Sequence, residues 1–262
     1  MLRALHTAAL GMSAQQKGVE NTANNLANAN TTGFKRSTVV FQDLLYQSMQ
    51  AAGQAEAGTA QQPASLDIGH GVAAISTVRN FTQGGFVETG NDLDIAVNGA
   101  GFFQVRMADG TLGYTRDGSF SLSADGAIIT QTGLSLEPDL TIPPEATAVH
   151  VSQDGVVSVR MQGEADMTEV GQLELVRFVN AAGLKPLGGN LYQQTEASGE
   201  PTIGTPGQDG IGTLRQGFLE AANVDVVQEM VNLIAAQRAY EINSKMITTS
   251  EEMLQLANNL KR

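Results

Sequence analysis

A chain of 262 residues with 27 acids against 15 bases carries a formal charge of −12. So negative a balance argues against nucleic acid as a partner, because phosphates select a basic footprint. There is no cysteine, which excludes disulfides, thiolate nucleophiles and Cys-based metal sites. No apolar run reaches the length a membrane-crossing helix needs, so direct membrane insertion is not expected.

In chain order, residues 2–28 place Leu2, Leu5, Ala9, Met12, Gln16, Val19, Ala23 and Leu26 at alternating spacings of three and four. That pattern predicts a helix with one narrow stripe toward a partner. Gly11, Gly18 and several asparagines make it an intrinsically weak helix former, and its small remaining faces suit close packing. The apolar stretch from Ala8 to Met12 is too short for the core of a cleaved secretory leader. Gly33 is the expected helix terminator and Phe34 the contact that follows it. Residues 37–49 are apolar enough to pack, whereas 51–65 are an Ala/Gly/Gln-rich stretch of linker composition.

From about 66 to 215 the apolar period becomes two. Leu93, Ile95 and Val97 alternate with Asp94, Ala96 and Asn98, and Val149, Val151, Val156, Val157 and Val159 read as further strands. Asp-Gly pairs at 109–110, 117–118, 125–126, 154–155 and 209–210 are hairpin signals. All seven prolines fall between Pro63 and Pro206, outside both terminal segments. No Gly or Pro follows Gly217, and Asp225 with Gln228 gives a near capping box for a last helix. Its seam reads Ala239, Ile242, Met246, Thr249, Met253, Leu256 and Leu260.

The two sevenfold patterns predict an α+β fold in which the N- and C-terminal α-helices form a coiled-coil domain around a mostly-β middle. The expected division is 1–33 plus 223–262 for the helical domain. A connecting segment of 34–70 plus 205–222 carries an insertion at 51–65, and 71–204 form a β-rich outer domain. The ends are nearly neutral, so the middle holds the acidic excess. Neutral ends can stack against copies of themselves, while an acidic middle favours solvent.

No constellation for catalysis is expected. His6, His70 and His150 stand apart from any carboxylate or serine grouping, and Gly69-His70-Gly71 reads as a turn. The stretch Asn98 to Phe103 lacks the third glycine and the helix of a dinucleotide fingerprint. The Asp-Gly pairs lack calcium-loop spacing, and Asp92 with Asp94 reads as a solvated strand edge. Neither catalytic residue, cofactor nor metal is therefore predicted, and the strongest patterns serve interfaces.

Three blocks carry a family resemblance. Asn24, Asn25, Leu26 and Asn28, followed by Gly33, Phe34 and Lys35, resemble the N-terminal NNLAN and TxGFK motif of bacterial flagellar rod and hook proteins. Asp92 to Phe103 looks like that family's β-domain motif. Gln237 to Leu254, including Gln237, Arg238, Tyr240, Glu241 and Asn243, is similar to its C-terminal block. The resemblance implies a structural subunit, not an enzyme, whose terminal helices build the wall of a helical tube. Leu2, Leu5, Met12, Val19, Leu26, Ala239, Ile242, Met246, Thr249, Met253, Leu256 and Leu260 would line the assembly seam.

A block from Phe41 to Gln47 followed by an extra segment points to the distal-rod branch of the family, with a proximal rod or short hook member as the alternative. That segment is implied to bridge neighbouring subunits. The implied partners are copies of the chain, other flagellar rod proteins, the hook and hook–rod junction, ring or bushing proteins around the rod, and the flagellar export apparatus. The implied location is the basal body in the periplasm, reached without a cleaved signal peptide. A cell-wall hydrolase or a secreted adhesin on similar ends is the remoter reading, separable by turnover of cell-wall substrate and by surface labelling.

Overall fold

The computed structural model describes residues 2–50, 65–163 and 166–260. The chain divides into two units, one of residues 1–26, 37–78 and 225–262 and one of residues 27–36 and 79–224. It passes from one to the other four times. Most of the expected insertion at 51–65 lies outside the described residues.

The second unit is built from antiparallel strands. Seven of them form one sheet in the spatial order Lys185–Gly188, Leu191–Gln193, Leu112–Thr115, Phe103–Arg106, Ser135–Glu137, Ile128–Thr130 and Phe120–Leu122. Ala146–Val151, Val156–Met161 and Met167–Gln172 form a three-stranded meander. Three two-stranded ribbons pair Ile95–Asn98 with Thr213–Gln216, Phe86–Glu88 with Phe218–Glu220, and Leu175–Arg177 with Thr202–Gly204. Alternating residues of these strands converge on one apolar core in which Val97, Phe103, Val105, Val157, Val159 and Leu175 have no exposed surface. A smaller cluster gathers Phe102, Tyr114, Val176, Phe178, Leu184 and Tyr192, with Tyr114 edge-on to Phe178 at 4.8 Å between ring centroids.

Three of the five Asp-Gly pairs make hairpin connections. Gly110, Gly126 and Gly155 take positive φ between strands that pair with each other. The other two turn the chain between strands that are not each other's partners. At Gly118 a Cβ would stand 1.7 Å from the Ile95 carbonyl, so a glycine is needed for the backbones to touch. Ile95, Ala96 and Val97 are all buried, and the alternation expected there gives way to a strand covered on both faces. Asp94 is buried too and accepts a hydrogen bond from Asn91 Nδ2 at 3.1 Å, so the solvated-edge reading holds for the exposed Asp92 and fails for Asp94.

The first unit holds helix α1 (Leu2–Ala27), helix α2 (Val226–Asn259) and two ribbons. Ser37–Asp43 pairs with Val72–Arg79, and Tyr46–Gln50 pairs antiparallel with Leu66–Gly69. Asp225 caps α2, its Oδ1 accepting from Val227 N at 2.9 Å and Gln228 N at 3.1 Å. Gln228 turns to Asn232 instead of reaching back, so only half of the expected box forms.

The expected coiled-coil domain is not present. Among the described residues the chain has two α-helices, and the α2 seam points away from the packing. Ile242 is 59% exposed, Leu256 62% and Leu260 86%, and Met246, Thr249 and Met253 are also exposed. On α1 the covered residues are Ala8, Ala14, Thr22 and Asn25, while Leu5, Met12, Val19 and Leu26 are half-buried. The physical reason is that α1 turns its small and polar residues inward. Gly11 lies so close to α2 that a Cβ there would approach Asn243 Nδ2 to 3.0 Å, and Phe41 packs against Gly18. Small residues permit this backbone approach, which large apolar knobs would prevent.

The core assignment predicts that Phe103→Ala lowers stability by about 3–5 kcal/mol, the usual cost of emptying an aromatic site. Leu122→Ala, at a position 42% exposed, should cost under about 1 kcal/mol. Thermal denaturation of the two variants checks both.

Candidate functional site

The residues at the end of α1 make two buried polar constructions, one in each unit. In the first unit the Asn25 side chain, with no exposed surface, imitates a β-bridge. Its Oδ1 accepts from Ser37 N at 3.0 Å, and its Nδ2 donates to Ser37 O at 2.8 Å and to Glu229 Oε2 at 3.2 Å. Asn21 Nδ2 also donates to Ser37 O at 2.8 Å, and Asn21 Oδ1 accepts from the Ser37 hydroxyl at 2.6 Å. Glu229 sits in the first turn of α2, where the helix dipole favours an acid, and is 1% exposed. Through these bonds α1, the strand Ser37–Asp43 and α2 share one satisfied network, so each fixes the register of the others.

In the second unit the chain segments 31–36, 79–84 and 219–224 are clasped together. Gly33, at φ 67°, brings its N–H to Glu220 O at 2.8 Å, and a Cβ there would meet Asp117 N at 2.8 Å. Phe34 is buried under the Arg79 guanidinium, which also stands 5.6 Å from the Tyr192 ring. Lys35 has no exposed surface. Its Nζ donates to Glu220 Oε1 at 2.6 Å and to Thr82 O at 2.8 Å, and Glu220 Oε1 also accepts from Gly84 N at 2.9 Å. Asn223 completes the clasp: its Oδ1 accepts from Arg36 N at 2.7 Å and its Nδ2 donates to Asn80 O and Thr82 O.

Behind Glu220 lies Arg116, 4% exposed. It donates to Gly99 O at 2.6 Å and Val97 O at 3.4 Å, and places Nη1 3.5 Å from Glu220 Oε2. Two buried cations thus share one buried carboxylate. Burial pushes the Lys35 ammonium below its ordinary value of 10.5, Glu220 opposing and Arg116 reinforcing the shift. Burial likewise lowers Arg116 and raises Tyr192.

The motif residues therefore fall into two groups. Asn25, Gly33, Phe34 and Lys35 are structural centres; Asn28 is half-buried and accepts from the Thr31 hydroxyl at 3.2 Å, while Asn24 is exposed and Leu26 half-buried. On α2, Gln237, Arg238, Tyr240 and Glu241 are exposed, and half-buried Asn243 faces Gly11. Gln237, Tyr240 and Glu241 line a groove of about 460 Å³ with Gln16 and the seam residue Val19. Half-buried Ala239 lies beside it, and the Leu2 side chain lies outside what is described. The sequence reading missed Arg116, Glu220, Asn223 and Glu229. Only Glu229 carried a local signal, an acid in a first helical turn.

The arrangement contains no catalytic grouping among the described residues; it is a pair of buried polar joints, one within each unit. Comparisons with known proteins agree in order and extent. The flagella basal body rod protein profile matches residues 5–35, the flagellar hook protein FlgE/F/G D1 domain profile matches 96–159, and the flagellar basal body rod FlgEFG protein C-terminal profile matches 215–260. The flagellar basal-body rod protein FlgG of Buchnera aphidicola subsp. Schizaphis graminum is 46% identical over 99% of this chain and all of its own length. That of Agrobacterium fabrum is 48% identical over 99% and 100%. The chain belongs to the flagellar basal-body rod family. The flagellar basal-body rod protein FlgG of Borreliella burgdorferi is 46% identical over the full length of both chains. The family's motif residues Gly33, Phe34 and Lys35 now have a physical role as the clasp, and Asn25 as the strand mimic.

Glu220→Gln should destabilise the second unit by about 3–5 kcal/mol, because it leaves Lys35 and Arg116 buried without their anion. Lys35 adds a pH test. Its folded-state value is depressed, so the unfolded chain binds the extra proton, and stability attributable to Lys35 rises with pH between the depressed value and 10.5. Chemical denaturation of wild type and Lys35→Met across that window should show the difference growing in the wild type's favour.

Proposed function

We propose that the chain is a structural subunit that polymerises into the tubular distal rod of the flagellum and carries torque to the hook. The observation that carries this reading is the outer face of α2. Val227, Val231, Ile234, Ile242, Met246, Met253, Leu256 and Leu260 are each between 46% and 86% exposed and recur along one side of a 34-residue helix. A long apolar stripe left open in a free subunit is the mark of an interface. Contact between this stripe and a different face of a neighbour is heterologous, and repetition of such a contact without closure gives a filament. The family membership supports the basal body as the location, and association with other rod proteins and hook components.

The same reading extends to the details. The rod crosses the periplasm within its ring or bushing proteins, and the subunit reaches it through the flagellar export apparatus. Tyr46–Gln50 and Leu66–Gly69 pair with each other, and the reading gives the insertion at 51–65, most of which lies outside the described residues, the role of bridging copies. No step of this function calls for catalysis, a cofactor or a metal.

Met246→Asp and Leu256→Asp each put an unpaired charge into the proposed contact, where burial costs several kcal/mol. Electron microscopy of concentrated protein should show tubes for the wild type and none for either variant, and cells carrying either variant should not swim. The thermal transition of the second unit should stay where it is, which separates lost assembly from lost folding. Normal tubes and normal swimming would rule out this face.

A further inference from the structure

The second unit carries a pit that the clasp does not use. It holds about 430 Å³ and is lined by Phe81, Phe102, Phe178, Arg116, Arg177 and Val179, with a floor of bare backbone at Gly99 and Gly101. Three observations point to an occupant. First, the lining has two guanidinium groups and no carboxylate, in a chain with 27 acids and 15 bases. Second, Arg116 is 4% exposed, and with Lys35 it makes two buried cations around the one carboxylate of Glu220. Third, Val179 stands at the rim 91% exposed, an apolar side chain beside an aromatic wall with nothing over it.

We infer that this pit is a carboxylate-binding pocket that takes an acidic side chain, flanked by an apolar one, from a second copy of the chain. The aromatic wall and Val179 would receive the apolar group, and the Arg177 guanidinium would receive the carboxylate as a charge-assisted donor, with the Arg116 charge beneath it. Arg177 is already pinned, its Nη1 donating to Asp209 O at 3.2 Å, so little side-chain freedom is lost on binding. Charge complementarity selects the occupant: the acidic middle of one copy presents carboxylates in excess, and this recess offers them a positive place on a unit that otherwise repels them. The inference rests on the polymer reading above and adds to it a contact made by the β-rich unit.

The test uses full-length protein at assembling concentration. In Arg177→Lys, a carbodiimide will join the new amine to a carboxylate in contact with it, the water being taken up by the reagent as urea. With equal amounts of ¹⁴N- and ¹⁵N-labelled chains, the expected product is a mixed-isotope peptide linking residue 177 of one copy to an acid of another. It should be absent from dilute protein. Val179→Glu, at a surface position that does not disturb the core, should raise the concentration needed for assembly by about tenfold or more. Links only within one copy, or a Val179→Glu protein that assembles at the wild-type concentration, would overturn the pocket. If the wild type does not assemble at all, the polymer reading falls and the pocket with it. If Met246→Asp blocks assembly while Val179→Glu is silent, only the pocket is lost.

Discussion

Everything in the second unit that leads to or from the first passes the contact between Lys35 and Glu220. The chain crosses between units after residues 26, 36, 78 and 224, and the segments on the second-unit side of those crossings are the ones the clasp holds. A fully buried ammonium–carboxylate pair is a poor source of net stability, because dehydrating both ions offsets their attraction. Its value here is positional. Lys35 has its carboxylate and the Thr82 carbonyl, Glu220 has Lys35 and the Gly84 amide, and Asn223 reaches both neighbouring segments. Displacing one segment would strand charges belonging to the other two. Joints of this kind either hold as a whole or fail as a whole.

The helices solve a different problem with the opposite chemistry. Within the first unit the covered residues are Ala8, Ala14, Thr22 and Asn25 on α1 and Glu229 and Ser250 on α2, with Gly11 close to Asn243, Gly18 close to Phe41, and Asn25 bonded to Glu229. The large side chains of α2 are left outside. An amphipathic pattern states that a stripe of residues will be covered; it does not say by which molecule. In a lone globular protein the answer is the chain's own core, whereas the sevenfold spacing of Ile242, Met246, Met253 and Leu256 predicts a seam toward a partner helix. Here the glycines and small residues of α1, which count against it as a helix former, supply the intramolecular face, so the large residues are free for an external one.

Legibility in the sequence followed the range of the interaction. Local signals were readable: the turn at Gly33, the cap at Asp225, the hairpins at Asp109, Asp125 and Asp154, and the change of period between the ends and the middle. Family likeness marked Asn25 and Lys35 without saying what they do. What stayed hidden were their partners. Lys35 and Glu220 are 185 residues apart and Asn25 and Glu229 are 204 apart, and no pattern in a window of a few turns encodes such a pairing. Ile95–Asn98 shows the same limit on a smaller scale. Its Ile-Ala-Val alternation looks half-buried, but Ala96 is small enough to be covered on the other face, which carries Asp94 indoors with it.

Charge then decides which surfaces can meet. The two terminal segments are close to neutral and the middle carries the negative excess, so two copies approaching through their β-rich units would repel at distances within about 8–10 Å of each other in physiological salt. Copies approaching through α2 meet an apolar stripe and little field. The buried excess of positive charge around Arg116 is the exception to the surface sign, and it lies beneath a recess lined by a second arginine. An acidic surface with a positive recess discriminates among the approaches of a neighbouring carboxylate, which an open apolar stripe alone does not.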